Sequence, residues 1–159
     1  MPMDSCSDFS LTHMEFVVER LAAGQRIRYL NFRGISMLPM LRQGKDAVEL
    51  SPLPEKLEKY DLPVYRRRDG QFVMHRIVDV KSDHYICLGD NTYAYETVYP
   101  GQMIGIVSAF KRGEKRIEVD HPVYRLYCRF WKLIYPLRSG IRFAKAAAKG
   151  MIKRIIKGR

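Results

Sequence analysis

The chain predicts a mainly β body with a short helix ahead of it and a basic helical tail behind. Three observations carry that expectation. Short apolar runs rich in β-branched and aromatic residues recur, turn dipeptides separate them at close intervals, and acidic residues vanish after Pro122. A length of 159 residues suits one domain with a modest core, and a hydrophobic fraction of 47% argues against disorder.

The elements follow in order. Leu11 to Ala23 reads as a short amphipathic helix, with Leu11, Met14, Val18, Leu21 and Ala22 on one stripe and Gly24 as its stop. Arg26 to Arg33 is a strand with Ile27, Tyr29 and Phe32 among its β-formers. Gly34 then permits an unusual turn, and Pro39 ends regular structure soon afterwards. Ala47–Leu50 is a second strand. Leu62–Arg66 is a third, where Pro63 marks an edge or a strand start. Asp69-Gly70 turns the chain into Gln71–Val80, and Ser82-Asp83 turns it into His84–Leu88. Met103–Phe110, the Arg112-Gly113 turn and Lys115–Val119 complete a β body over about 26–119, within a unit of 1–122.

Charge divides the chain at the same place. All 17 acids lie in 1–122 beside 17 Lys and Arg, whereas 123–159 carry the other 11 cations and no acid. A neutral body with a cationic tail predicts an anionic partner for the tail. Val123–Tyr135 is an apolar, aromatic helix with Arg125, Arg129 and Lys132 in a narrow stripe, broken by Pro136 and Ser139-Gly140. It either packs on the body or lies in the plane of a membrane with Trp131 and Tyr135 at headgroup depth. Ile141–Lys157 is a second amphipathic helix, and its Ile and Ala face favours lipid. Eleven cations attract phosphates of any kind, but RNA and single-strand binders usually interleave aromatics with cations on one surface, so the pattern suits lipid better than nucleic acid.

No apolar run reaches the roughly 18–20 residues that span a bilayer. Met1–Phe9 holds Asp4 and Asp8 without Lys or Arg, the reverse of an export signal's basic start. The expectation is a peripheral membrane protein, on either side of the membrane. Cys6, Cys87 and Cys128 are odd in number and far apart, which predicts neither a disulfide framework nor a structural metal.

Chemistry concentrates in three short segments. Ser36, in Ser36-Met37-Leu38-Pro39, sits at a strand exit where rigid backbone presents its hydroxyl. His75-Arg76 lies in an apolar run whose alternation sets Val73, His75 and Ile77 on one face, partly shielded from water. Gly89-Asp90-Asn91 follows another strand. Each alone reads as a turn or a core histidine. In this order and spacing they resemble the signal peptidase and LexA-type serine peptidases, in the branch whose general base is histidine. The resemblance runs from about Arg26 to about Phe110 and includes Arg42-Gln43-Gly44-Lys45-Asp46 and Glu96, six residues after Asp90.

That resemblance implies a signal-peptidase/LexA-like β domain acting as a serine endopeptidase on a polypeptide with a leader or signal segment. Ser36 is the expected nucleophile and His75 its base. Asp90 or Glu96 orients the imidazole while the other braces Arg76 and the loop. Neither metal nor organic cofactor is implied. Two features depart from the family: no transmembrane anchor is visible, and Gly34 stands where many members place a hydroxyl as second oxyanion donor. Asp61 is expected to be structural, and His13, His84 and His121 to be surface or turn residues. A self-cleaving repressor would need a helix-turn-helix before the β domain, and only one helix precedes Arg26. The competing reading is a non-catalytic membrane-surface scaffold that keeps the peptidase fold.

Overall fold

The computed structural model describes residues 8–141, with the side chains of 8–13, 29 and 30 left out. The chain divides into two compact units, Met1–Arg125 and Leu126–Arg159. The first is mainly β, with helix α1 (Asp8–Ala22) followed by strands β1 (Ile27–Leu30), β2 (Asp46–Ser51), β3 (Pro63–Arg66), β4 (Phe72–Met74), β5 (Arg76–Val80), β6 (Tyr85–Leu88), β7 (Glu96–Val98), β8 (Met103–Arg112) and β9 (Lys115–Glu118).

Two antiparallel sheets result. The larger has the order β1-β2-β8-β3-β4, with β9 also paired to β8. Strand β8 is its spine: β2 runs along one side, and β3 and β9 share the other. The smaller sheet is β5-β6-β7. Tyr65 and Met103 from the larger sheet meet Ile77, Cys87 and Val98 from the smaller one in a single buried cluster. Alternation in β2 explains its placement, since Asp46, Val48 and Leu50 are buried while Ala47, Glu49 and Ser51 are less so.

Helix α1 packs on β8 through Val17 and Leu21, both almost fully buried. Ala22, expected on the buried stripe, is exposed. Gly105 explains the close approach: a Cβ there would stand 2.7 Å from Leu21 Cδ1 and 2.9 Å from the Ser51 carbonyl oxygen.

The run Gln71–Val80 is not one strand. It breaks at His75, where the chain leaves the larger sheet after Met74 and enters the smaller one at Arg76. Ile77 then exchanges backbone hydrogen bonds with Tyr60 and Asp61 (2.8 and 2.9 Å). The short strand β7 has too little apolar character to announce itself, because only Val98 of its three residues is buried.

Helix α2 (Pro122–Leu133) starts in the first unit and continues into the second. Within the second unit a single turn residue, Ile134, interrupts it, and helix resumes over residues 135–141. Pro136 and Gly140 are therefore helical, against expectation. Proline is tolerated in a helix's first turn, and Arg138 still donates to the Ile134 carbonyl at 3.0 Å. Tyr127 stacks on Trp131 with centroids 5.7 Å apart, and the Arg138 guanidinium lies 3.7 Å from the Trp131 ring centre. The expected helix beyond Ile141 lies outside the described residues, and among those described no helix is long and apolar enough to cross a membrane.

Candidate active site

Ser36 sits in the tight turn after β1. Gly34 adopts φ +106°, a conformation that disfavours side chains, and its N–H donates to Gln43 Oε1 at 2.8 Å. Buried Met37, Met40 and Leu41 pin the turn from below, leaving Ser36 partly exposed. The Leu38–Pro39 peptide bond within it is cis. Ser36's hydroxyl and backbone N–H make no hydrogen bond among the described residues.

The Gly89-Asp90-Asn91 loop closes on this turn. The Asn91 N–H donates to the Ser36 carbonyl at 2.7 Å, and Asn91 Nδ2 donates to the Ile35 carbonyl at 3.2 Å. Gly89 lies where only glycine fits. A Cβ there would be 2.8 Å from the Ser36 carbonyl oxygen, 2.9 Å from His75 Nε2 and 2.9 Å from Thr92 Cγ2. That one point fixes a neighbourhood, because His75 Nε2 and the Ser36 backbone both abut the bare α-carbon of Gly89.

His75 is 3% exposed. Its other nitrogen, Nδ1, faces Glu96 Oε1 and the Tyr65 hydroxyl, each at 3.2 Å. Tyr65 donates to Glu96 Oε2 at 3.0 Å, and Arg67 holds the same carboxylate through Nε at 2.8 Å and through Nη2. Burial lowers the His75 pKa below its ordinary 6.5, more than the Glu96 charge raises it, so the imidazole is neutral near pH 7. For Glu96, burial pushes upward, but the Arg67 hydrogen bond with His75 and Tyr65 holds the carboxyl below its usual range. Burial foremost, with the Glu96 charge beside it, drives the Tyr65 phenol well above its ordinary value.

Asp90 stands apart from the imidazole contacts. It grips Arg76 with Nε–Oδ1 at 2.9 Å and Nη2–Oδ2 at 2.7 Å, and both residues are at most 5% exposed. Arg76 Nη1 also donates to the Tyr124 hydroxyl at 2.8 Å, and Nη2 lies 3.0 Å from Met40 Sδ. The pair thus ties β5, the 89–91 loop, the serine turn and the start of α2 together.

Ser36, His75 and Glu96 line one cleft of about 870 Å³, together with Phe32, Val48, Met74 and Thr92. Asn31–Gly34, just beyond β1, borders it, as does β4, and these strands end the larger sheet on opposite sides. Asp61 lies elsewhere, its carboxylate accepting the Glu58 N–H at 2.7 Å, and burial raises its pKa. Cys87 is buried, which pushes its thiol up to about 12 and leaves it no thiolate. His84 pairs with Asp83 at 2.7 Å and His121 is exposed, while the His13 side chain lies outside the described residues. Among the described residues no group of His, Cys, Asp and Glu is arranged to hold a metal ion.

Sequence reasoning missed Tyr65 and Arg67. The expected Asp69-Gly70 hairpin held the signal, since folding about it sets Tyr65 opposite Val73, two residues from His75. Comparison with protein families, with curated proteins and with solved structures finds no match to this chain.

Proposed function

We propose that this chain is a serine endopeptidase of the signal-peptidase-like type, cleaving a leader or signal segment from a polypeptide. The observation that carries the reading is the two-sided environment of His75. An ionised acid faces Nδ1, while Nε2 abuts the wall it shares with the Ser36 backbone, all beside one cleft. That arrangement suits a base able to accept a hydroxyl proton on the cleft side.

In the proposed reaction, Ser36 Oγ adds to the scissile carbonyl carbon and its proton passes to His75 Nε2. Collapse of the adduct breaks the C–N bond as Nε2 returns that proton to the leaving amine. Water, activated by the same nitrogen, then hydrolyses the acyl ester. Glu96 stabilises the transient imidazolium, and Asp90 braces Arg76. The Ser36 N–H is the first oxyanion donor; Gly34, whose N–H is committed to Gln43, is not a second. The serine–histidine hydrogen bond forms as substrate fills the cleft, since such bonds commonly tighten only in the complex. An extended peptide suits the opening between the two sheet ends, where it can add backbone hydrogen bonds.

The enzyme works as a peripheral protein on an anionic membrane surface, held by residues 123–159. Leu126, Phe130, Leu133, Leu137 and Ile141 recur every three or four residues along the described helices and are 49–77% exposed. This apolar stripe, in a tail with 11 cations and no acid, supports in-plane binding.

A fluorophosphonate probe tests the assignment. Labelling of the full-length chain, lost in Ser36→Ala and in His75→Ala, is the expected result. A chain that binds leader-bearing polypeptides but never takes up the probe would instead be a scaffold that retains the fold.

A further inference from the structure

Tyr65 belongs to the buried cluster and is fully buried, yet its hydroxyl contacts both His75 and Glu96. The Glu96 carboxylate has no proton to give, because Arg67 and its neighbours keep it ionised. The 3.0 Å contact between Tyr65 and Glu96 Oε2 therefore uses the only proton of the phenol. What remains on the Tyr65 oxygen is acceptor capacity, and it faces His75 Nδ1 at 3.2 Å. Glu96 Oε1, also at 3.2 Å, is an acceptor as well. Two acceptors thus converge on one ring nitrogen.

We infer that Tyr65 is a positioning residue that, with Glu96, locks His75 in the Nδ1–H tautomer and so leaves Nε2 bare on the cleft side. A bare Nδ1 would aim its lone pair at a carboxylate oxygen. It could recruit the Tyr65 proton only by stripping Glu96 of that hydrogen bond. The competing tautomer, with hydrogen on Nε2, could not take a proton from Ser36. Arg67 completes the lock by binding both carboxylate oxygens, which fixes the plane in which Oε1 meets Nδ1. The inference rests on the proposed peptidase role of His75 for its meaning, but its test does not.

Nitrogen-15 NMR of the full-length chain reads the tautomer directly, with His75→Gln identifying the His75 signals. The wild-type protein at neutral pH is expected to show a protonated Nδ1 and an unprotonated Nε2. In Tyr65→Phe the two shifts should move toward each other as the Nε2–H form becomes populated. On a peptide substrate, kcat should fall about tenfold while KM stays unchanged. A wild-type Nε2–H tautomer overturns the inference whether or not any variant folds, as does a folded Tyr65→Phe with both shifts at wild-type values. The expected tautomer in a chain that cleaves no peptide would defeat the proposed activity and leave this inference standing.

Discussion

Glu96 Oε1 stands 3.2 Å from His75 Nδ1, while Asp90 is engaged on both oxygens by Arg76. The two acids that the sequence leaves interchangeable occupy different electrostatic settings. Glu96 spans a partly exposed wall between Arg67 and the imidazole, and its extra methylene relative to aspartate adds reach. Asp90 belongs to a dry pair in which each ion needs the other.

Neutralising these acids should therefore have unlike effects. Glu96→Gln should lower kcat by about 10²- to 10³-fold with little change in the urea midpoint, because it removes stabilisation of an imidazolium present only during turnover. Asp90→Asn leaves the buried Arg76 charge without its partner and should cost on the order of 3–5 kcal/mol in unfolding free energy. Equal denaturation midpoints for the two variants would contradict this division.

Activity should depend on pH through His75. Its folded pKa lies below 6.5, so kcat/KM should hold steady through neutrality and fall only as pH drops through that lower value. Glu96 raises the His75 pKa, so the acid limb of any residual Glu96→Gln activity should move to still lower pH. Stability follows the same sign. The unfolded histidine binds a proton more readily than the folded one, so the neutral, buried state contributes fully above about 6.5 and loses ground as pH falls below it. A limb centred above 6.5 would assign the titration to another group.

Gly89→Ala should damage the site more than Gly34→Ala. The first puts a methyl within 3 Å of a backbone carbonyl and the imidazole, and overpacking of this kind costs about 1–3 kcal/mol besides displacing Nε2. The second meets open space and pays mainly for its positive φ. Thermal unfolding with probe labelling separates them: Gly34→Ala should keep labelling at Ser36, and Gly89→Ala should lose it.

Membrane binding should divide into an apolar and a charged share. Replacing Leu126, Phe130 and Leu133 by serine should weaken association with anionic vesicles at both low and high salt. Wild-type binding should fall only in part as salt is added, because Debye screening acts on the cations and not on inserted side chains. Deleting 138–159 should release much of the protein into the soluble fraction while cleavage of a short soluble peptide persists. Failure of the full-length chain to bind anionic vesicles at low salt would defeat the membrane reading.

The β character was legible because most strands carry their own turn signals; Asp69-Gly70 and Arg112-Gly113 both fall at hairpins in the fold. The break at His75 was not, since Val73-Met74-His75-Arg76-Ile77 alternates like any continuous strand. What divides it is partner exchange: Met74 pairs with Val64, whereas Arg76 pairs with Leu88. Local pattern holds no record of which sheet a residue joins. Tyr65 was hidden for a related reason, because an aromatic in a strand reads as core and its hydroxyl's partners come from 10 and 31 residues away.

Tyr124 has a practical consequence for anyone cutting this chain. Charge composition invites a boundary at Pro122, yet the Tyr124 ring lies 5.6 Å from Phe110 and its hydroxyl takes a hydrogen bond from Arg76. A truncation there would remove the buried Tyr124 ring from the body and take from Arg76 Nη1 its 2.8 Å hydrogen bond, leaving the longer 3.4 Å one to the Tyr60 carbonyl. A shortened chain should keep Tyr124 and end after Arg125, where the first compact unit ends.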